Sequence, residues 1–141
     1  MAGVESIAEI EVKASVAKVW EALTDPEIIA KYFFGSRVET DWQPGSRITW
    51  KGEWEGNAYE DKGRVVEVVP ERLLKVTHFS PLTGLPDRPE NYHVLTFELE
   101  QHGAATQVRL VQDNNKDEAE AERSTQNWRT MLEGLKKTVE G

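Results

Sequence analysis

Residues 46–79, SRITWKGEWEGNAYEDKGRVVEVVPERLLKVTHF, carry the strongest indication of the fold class. Apolar and polar side chains alternate along this stretch with the period of two that is typical of half-buried β-strands. Gly56-Asn57 and Pro70-Glu71 interrupt the alternation, since the first pair favours a tight hairpin and proline cannot donate a ladder hydrogen bond. The stretch therefore predicts three antiparallel strands, at 46–54, 58–69 and 72–79.

The same alternation continues on both sides of this stretch. It predicts four further strands, at 4–12, 37–42, 91–100 and 105–112. Residues 80–90, SPLTGLPDRPE, contain three prolines and one glycine and are predicted to be a long loop. Such a loop is either a plain connector or a lid over the mouth of a cavity.

Two short helices are predicted between the first and second strands. Ser15 is an N-cap residue type, and the apolar spacing that follows it is helical as far as Pro26, before which the helix must end. Asp25 and Pro26 begin a second helix as cap and first-turn proline, and Gly35 ends it.

A long amphipathic helix is predicted at the C-terminal end. Asn115 and Glu118 resemble a capping box, and the apolar face comprises Trp128, Met131, Leu132, Leu135 and Val139. A helix with one apolar face must bury it against a sheet. The predicted fold class is therefore α+β, in the order β-α-α, six strands, α, with a curved antiparallel sheet of about 6–7 strands around the C-terminal helix.

The composition restricts the class of protein. The chain has 141 residues, a formal net charge of −8 and no cysteine. One domain, residues 1–141, is expected at this length. Disulfides and thiolate metal sites are excluded, and the acidic balance argues against nucleic-acid or membrane binding. Without a signal-peptide pattern or a long apolar run, we expect a cytoplasmic protein.

Several motifs resemble one known family over nearly the whole chain. The order of elements resembles the helix-grip arrangement of the START-like, Bet v allergen-like (SRPBCC) superfamily. The motifs Ile10-x-Val12-x-Ala14-x(4)-Val19-Trp20-x-Ala22-Leu23-Thr24-Asp25-Pro26-Glu27, Gly63-x-Val65-x-Glu67-Val68-x-Pro70-Glu71-Arg72-Leu73 and Trp128-x(3)-Leu132-x(2)-Leu135-Lys136 are similar to those of the family named after the activator of heat-shock protein 90 ATPase.

The resemblance implies three functions from different classes. The first is a module, with a stress-related role, that binds a hydrophobic or amphipathic small molecule in a cavity between sheet and helix, without a cofactor. The second is a protein that contacts an Hsp90-type ATPase, and the third is a cyclase- or hydratase-like enzyme in the same cavity. The first is favoured because no acid and base stand at a recognisable spacing, so no catalytic residue is assigned. A homodimer is compatible with an exposed strand edge.

Candidate cavity residues come from strand parity and helix faces. Trp50, Gly52 and Trp54 share one face of a strand, and the glycine would leave room for a ligand or let the sheet bend. The full set of candidates is Phe34, Trp50, Trp54, Tyr59, Glu67, His78, Tyr92, Thr96, Val108, Trp128, Met131 and Leu132.

Two features leave alternatives open. If the face of Val65 is concave, Glu67 is a carboxylate in an apolar cavity, and if Val66 and Val68 face inward, Glu67 is exposed. His78 and His93 flank the proline-rich loop, but two histidines without a fixed spacing are weak evidence for a metal, and no metal site is assigned.

Overall fold

The computed structural model describes residues 4–33, 35–54, 56–81 and 84–141, and for Trp54 it describes only the backbone. These residues contain one antiparallel sheet of seven strands. The strands are β1 Val4–Val12, β2 Arg37–Glu39, β3 Arg47–Trp54, β4 Asn57–Val69, β5 Leu73–His78, β6 His93–His102 and β7 Ala105–Asn115. The helices are α1 Val16–Thr24, α2 Pro26–Tyr32 and α3 Glu118–Glu140, and Pro89–Asn91 form a 3₁₀ turn.

The order of strands across the sheet is β1-β7-β6-β5-β4-β3-β2. Strands β2 to β7 each pair with their neighbour in sequence, so the predicted meander and the α+β class are confirmed. β1 pairs along β7, for example Val12 with Thr106, and this pairing of the chain's first strand with its last is long-range. Thr106 also donates from Oγ1 to the Ala14 carbonyl at 2.9 Å, which attaches the start of the α1 segment to β7.

Helix α3 packs its predicted apolar face against the concave face of the sheet. All five predicted members of that face are at most 9% exposed, and Leu132 and Leu135 are fully buried. Burying a leucine side chain stabilises the fold by about 1.5–3 kcal/mol. The concave face opposite them includes Val108 and Leu110 of β7, which are also fully buried.

The cap of α3 differs from the prediction. Asp117, not Asn115, is the N-cap, and its side chain accepts a hydrogen bond from the backbone N–H of Glu120 at 2.9 Å. Asn115 is instead the last residue of β7 and is fully buried. A capping-box spacing identifies the region of a helix start, but a residue that bonds into the core cannot also cap the helix.

Helices α1 and α2 begin at the predicted caps. Ser15 accepts from the N–H of Lys18, and Asp25 accepts from the N–H of Glu27. The buried hydroxyl of Tyr32 donates to the Ala22 carbonyl at 2.7 Å, which satisfies an acceptor in the last turn of α1. Burial raises the pKa of the Tyr32 phenol far above its ordinary value, so the phenol stays protonated and keeps donating.

Candidate functional site

The core between sheet and helices contains a small apolar cavity. Its volume is ≈ 30 Å³, enough for about one water molecule. Trp50 and Met131 are the predicted candidates that line it. Its other lining residues are Leu23, Ile29, Tyr32, Phe33, Val38, Trp42, Ile48, Leu74, Val76, Leu95 and Phe97. The described side chains therefore nearly fill the space under the sheet.

Tyr59 occupies the space that Gly52 leaves on the concave face. Gly52 of β3 is directly opposite Tyr59 of β4, and a Cβ at position 52 would lie 2.6 Å from the Tyr59 hydroxyl. That hydroxyl forms a 2.6 Å hydrogen bond with the Ser36 hydroxyl. The glycine was predicted to leave room for a ligand or to let the sheet bend, and in this structure the tyrosine ring covers it.

Asp61 and His78 form a polar pair on the concave face. Asp61 is directly opposite Trp50 in the β3–β4 register, and His78 continues the inward face of Val76 on β5. The Asp61 carboxylate accepts a hydrogen bond through Oδ2 from Nε2 of His78 at 2.9 Å. The side chains are 14% and 16% exposed, respectively. The Trp50 ring meets the His78 ring edge-on, with centroids 4.9 Å apart.

The second carboxylate oxygen of Asp61 has no hydrogen-bond partner among the described residues. Oδ1 is buried, and among the described residues it is the one buried side-chain polar atom without a hydrogen bond. An unsatisfied buried acceptor costs about 1–3 kcal/mol, and more when it is charged. A donor brought to Oδ1 would remove this cost, so the site is suited to a ligand with an N–H or O–H group.

A second polar cluster, next to the helix, is internally satisfied. Trp128 donates from Nε1 to Oε1 of Gln112 at 2.7 Å, and Gln112 donates to Asn115 at 2.9 Å. Asn115 in turn donates to the Ser6 hydroxyl and accepts from the Ser124 hydroxyl. Because each of these polar groups has a partner within the chain, the cluster ties β1, β7 and α3 together, and none of its buried side-chain polar atoms lacks a hydrogen bond among the described residues.

The predicted site residues separate into three groups. Those on the concave face or on the helix face packed against it are Trp50, Tyr59, His78, Val108, Trp128, Met131 and Leu132. Those on the outer face of the sheet are Glu67, Tyr92 and Thr96. Phe34 and the side chain of Trp54 lie outside the described residues.

A β-bulge explains the outward position of Glu67. The β4–β5 register shifts between Val65 and Glu67, so Val65 and Val68 both face inward while Glu67 lies opposite Lys75 and is exposed. Glu67 is therefore exposed, which was one of the two alternatives left open for it, and its inclusion among the cavity candidates is corrected: the acid on the inner face of β4 is Asp61. The signal available in the sequence was that Asp61 shares strand parity with Tyr59 and Val65, but the cross-strand partner His78 depends on register.

The described residues contain no group of three or more His, Asp or Glu side chains placed to hold a metal ion. None of the helices in the described ranges is long and apolar enough to cross a membrane. A surface groove of ≈ 1150 Å³ lies beside the β4–β5 turn and is lined in part by Glu71, Arg72 and Glu98. These three side chains are exposed, as on an ordinary solvated surface.

Comparison with known proteins decides the family. Residues 13–140 match the sequence model of the family described as activator of Hsp90 ATPase homolog 1-like protein. The chain belongs to this family. The match covers α1 through α3, so the family resemblance predicted from the motifs is confirmed. No curated protein matched this member of the family in sequence.

Solved structures resemble this family member over nearly its full length. ChR145 from Cytophaga hutchinsonii is 50% identical, with a TM-score of 0.87 over 99% of this chain and 96% of that one. The Aha1 dimer from Colwellia psychrerythraea is 23% identical, with a TM-score of 0.74 over 96% of each chain. CalU16 from Micromonospora echinospora is 21% identical, with a TM-score of 0.76 over 96% of this chain and 75% of that one. The last two similarities concern the fold.

Proposed function

We propose that this protein binds a small amphipathic molecule on the concave face, with a donor group of the ligand on Asp61 Oδ1. The observation that carries the proposal is the buried Oδ1 of Asp61, which has no hydrogen-bond partner among the described residues and belongs to a residue directly opposite Trp50 in the β3–β4 register. Family membership supports it, because the fold is of a ligand-binding type in general. The pair is an anchor in this proposal and has no catalytic role.

Two features of the concave face fit an aromatic or aliphatic ligand body. Trp50 offers ring surface next to His78, and aromatic surface with few polar groups is typical of small-molecule sites. Because the cavity of ≈ 30 Å³ admits only a water-sized group, a larger ligand requires a side chain to move. Tyr59 is half-buried and covers Gly52, where rotation of the ring would uncover backbone.

The test uses two probes with the same ring. We would titrate 2-naphthol, which has an O–H donor, and 2-methoxynaphthalene, which has none, into ¹⁵N-labelled protein and follow the Trp50 and His78 signals. We expect 2-naphthol to bind about tenfold more tightly, because one hydrogen bond to a buried acceptor is worth about 1–1.5 kcal/mol. Equal affinities, or no binding of either probe, would overturn the proposal.

Asp61→Asn is the decisive variant. The side chain keeps its shape, and its carbonyl must face the His78 N–H, so the amide NH₂ takes the position of Oδ1. The NH₂ can donate to the oxygen of either probe, because a hydroxyl and an ether both accept, so the preference for 2-naphthol should disappear. Glu67→Gln removes a carboxylate from the exposed face of the same strand and should leave both affinities unchanged. Retention of the preference in Asp61→Asn contradicts the proposed anchor.

Contact with an Hsp90-type ATPase is a second candidate function. Family membership and the nearly filled interior favour it, because a surface contact needs no cavity. The assay is the ATPase rate of an Hsp90-type protein from the same organism with and without this chain. A rate unchanged at saturating concentration contradicts this candidate, and a change that persists in Asp61→Asn separates it from ligand binding.

A further inference from the structure

Three cationic side chains lie together on the outer face of the sheet, away from the proposed ligand site. Arg47 of β3 and Arg64 of β4 are directly opposite each other, and Lys62 is two residues from Arg64 on the same face. Like charges directly opposite in a sheet are destabilising. This cluster occurs in a chain whose formal net charge is −8.

These side chains line a groove of ≈ 470 Å³, which we call the outer-face groove. Its walls include Arg47, Lys62, Arg64, Thr77, Asp87 and Tyr92. The volume is within the range of small-molecule sites, about 300–1,000 Å³. Tyr92 is stacked on the buried Phe79, with centroids 5.2 Å apart, so one wall of the groove is a supported aromatic ring.

The two guanidinium groups have weak partners. Arg47 is 3.7 Å from the Glu60 carboxylate, in a pair whose side chains are 64% and 47% exposed, and such exposed pairs contribute little. Arg64 donates from Nη1 to the neutral carbonyl of Gly45 at 3.1 Å. Among the described residues, Arg64 has no carboxylate at ion-pair distance. Both guanidinium groups therefore keep N–H donors available for an anion.

An acid from the chain itself already enters this groove. Asp87, in the proline-rich loop, forms an ion pair with Lys62 and accepts a 2.6 Å hydrogen bond from the Tyr92 hydroxyl. Asn114 fixes the same segment by donating from Nδ2 to the Glu90 and Tyr92 carbonyls. Asp87 thus neutralises the lysine end of the groove and leaves the arginine end for another anion.

We propose that the outer-face groove binds the phosphate or carboxylate group of a small organic anion between Arg47 and Arg64. A guanidinium presents two parallel donors that match either group, which favours these two arginines over the lysine as the ligand's main contacts. The proposal concerns a second site, opposite in charge to the acid on the concave face, and does not depend on the proposed function.

The test compares phenyl phosphate with benzoate, two anions that share a ring, at constant ionic strength. Titration of ¹⁵N-labelled protein should give saturable shifts of the Arg47 and Arg64 side-chain signals. If only phenyl phosphate saturates, the groove is a phosphate site, and if only benzoate saturates, it is a carboxylate site. If both saturate, it is a general anion site. No saturable shift with either anion overturns the proposal.

Four variants locate the binding. Arg64→Gln should weaken anion binding by about tenfold or more. Arg64→Lys should weaken it by less, because lysine keeps the positive charge but lacks the two parallel donors of the guanidinium group. Asp87→Asn should tighten it by about two- to fivefold, because an internal competing carboxylate is removed. Arg37→Gln, on the outer face opposite Lys51, is the matched control and should change affinity less than twofold.

Two outcomes would contradict a site built on Arg64. One is equal weakening by Arg37→Gln and Arg64→Gln, which would mean diffuse charge screening. The other is unchanged binding in Arg64→Gln. Asp61→Asn should leave the anion titration unchanged, so failure at this groove and failure at the concave face are distinguishable.

Discussion

Gly63 lies so close to Thr77 that a Cβ at position 63 would be 1.8 Å from the Thr77 carbonyl oxygen. The clash would be with backbone, so no side-chain rotation relieves it. Gly63→Ala should therefore destabilise the protein by about 1–3 kcal/mol or more, the range of overpacked interiors. The urea midpoint of unfolding measures this loss.

Gly134→Ala provides the contrast for that prediction. A Cβ there would lie 3.2 Å from the Tyr32 Cβ, a tight contact that a small shift of α2 can relieve. Alanine also gains about 1 kcal/mol of helix propensity over glycine. We expect a smaller loss than for Gly63→Ala, and a larger loss at position 134 would contradict the packing described for β4 and β5.

Tyr32→Phe should cost about 0.5–1.5 kcal/mol, because it removes the hydrogen bond to the Ala22 carbonyl while keeping the ring. Chemical denaturation measures the difference. Tyr92→Phe is the control in the half-buried groove, and we expect it to cost less. Equal losses of unfolding free energy in the two variants would mean that burial of the Tyr32 hydroxyl does not strengthen its hydrogen bond.

Asn115→Ala should cost about 3 kcal/mol, since each buried group left without a partner costs about 1–3 kcal/mol. Asn115 donates to the Val4 carbonyl and the Ser6 hydroxyl, each at 2.9 Å, and accepts from Gln112 and Ser124. Ser124→Ala removes one of these partners and should cost less. A thermal melt of both variants tests the order, and a larger loss in Ser124→Ala would contradict it.

Acidification should release the loop segment around Asp87. Hydrogen bonds from Lys62 and Tyr92 lower the pKa of the Asp87 carboxyl below its ordinary value. A lowered pKa means that the contribution is fully present above the unfolded-state pKa, about 3.9, and is lost as pH falls through the folded-state pKa below it. Hydrogen exchange of residues 84–92 should accelerate in that acid range.

Asp87→Asn checks the cause of this acid effect. The amide carries no titrating charge, so the exchange rates of residues 84–92, corrected for intrinsic chemistry, should lose their acid transition. If the transition persists in the variant, another group controls the loop.

Much of the fold could be predicted because strands and helices depend on local spacing. The sequence correctly predicted the positions of β3, β4 and β5, the caps Ser15 and Asp25, and the apolar face of α3. The strand limits were less accurate: β2 was predicted to reach residue 42 and ends at Glu39. Trp42 has a φ of 60°, a left-handed conformation outside the range of regular strands.

The candidate site was only partly predictable, for a reason that concerns register. His78 was singled out, but its partner Asp61 is on another strand, and the pairing of β4 with β5 brings them to 2.9 Å. The face of Glu67 was left open, and strand parity alone could not decide it because one extra residue in a bulge reverses parity for the rest of the strand. No periodic pattern contains such a shift.

Local sequence patterns were enough to predict the order of elements, the buried face of α3, and the family to which the chain belongs. Three features depend on the tertiary structure: Tyr59 covers Gly52, one Asp61 oxygen has no partner among the described residues, and Arg47 is directly opposite Arg64. The physical reason is that periodicity assigns a side chain to a face, whereas its neighbours on that face are set by strand register.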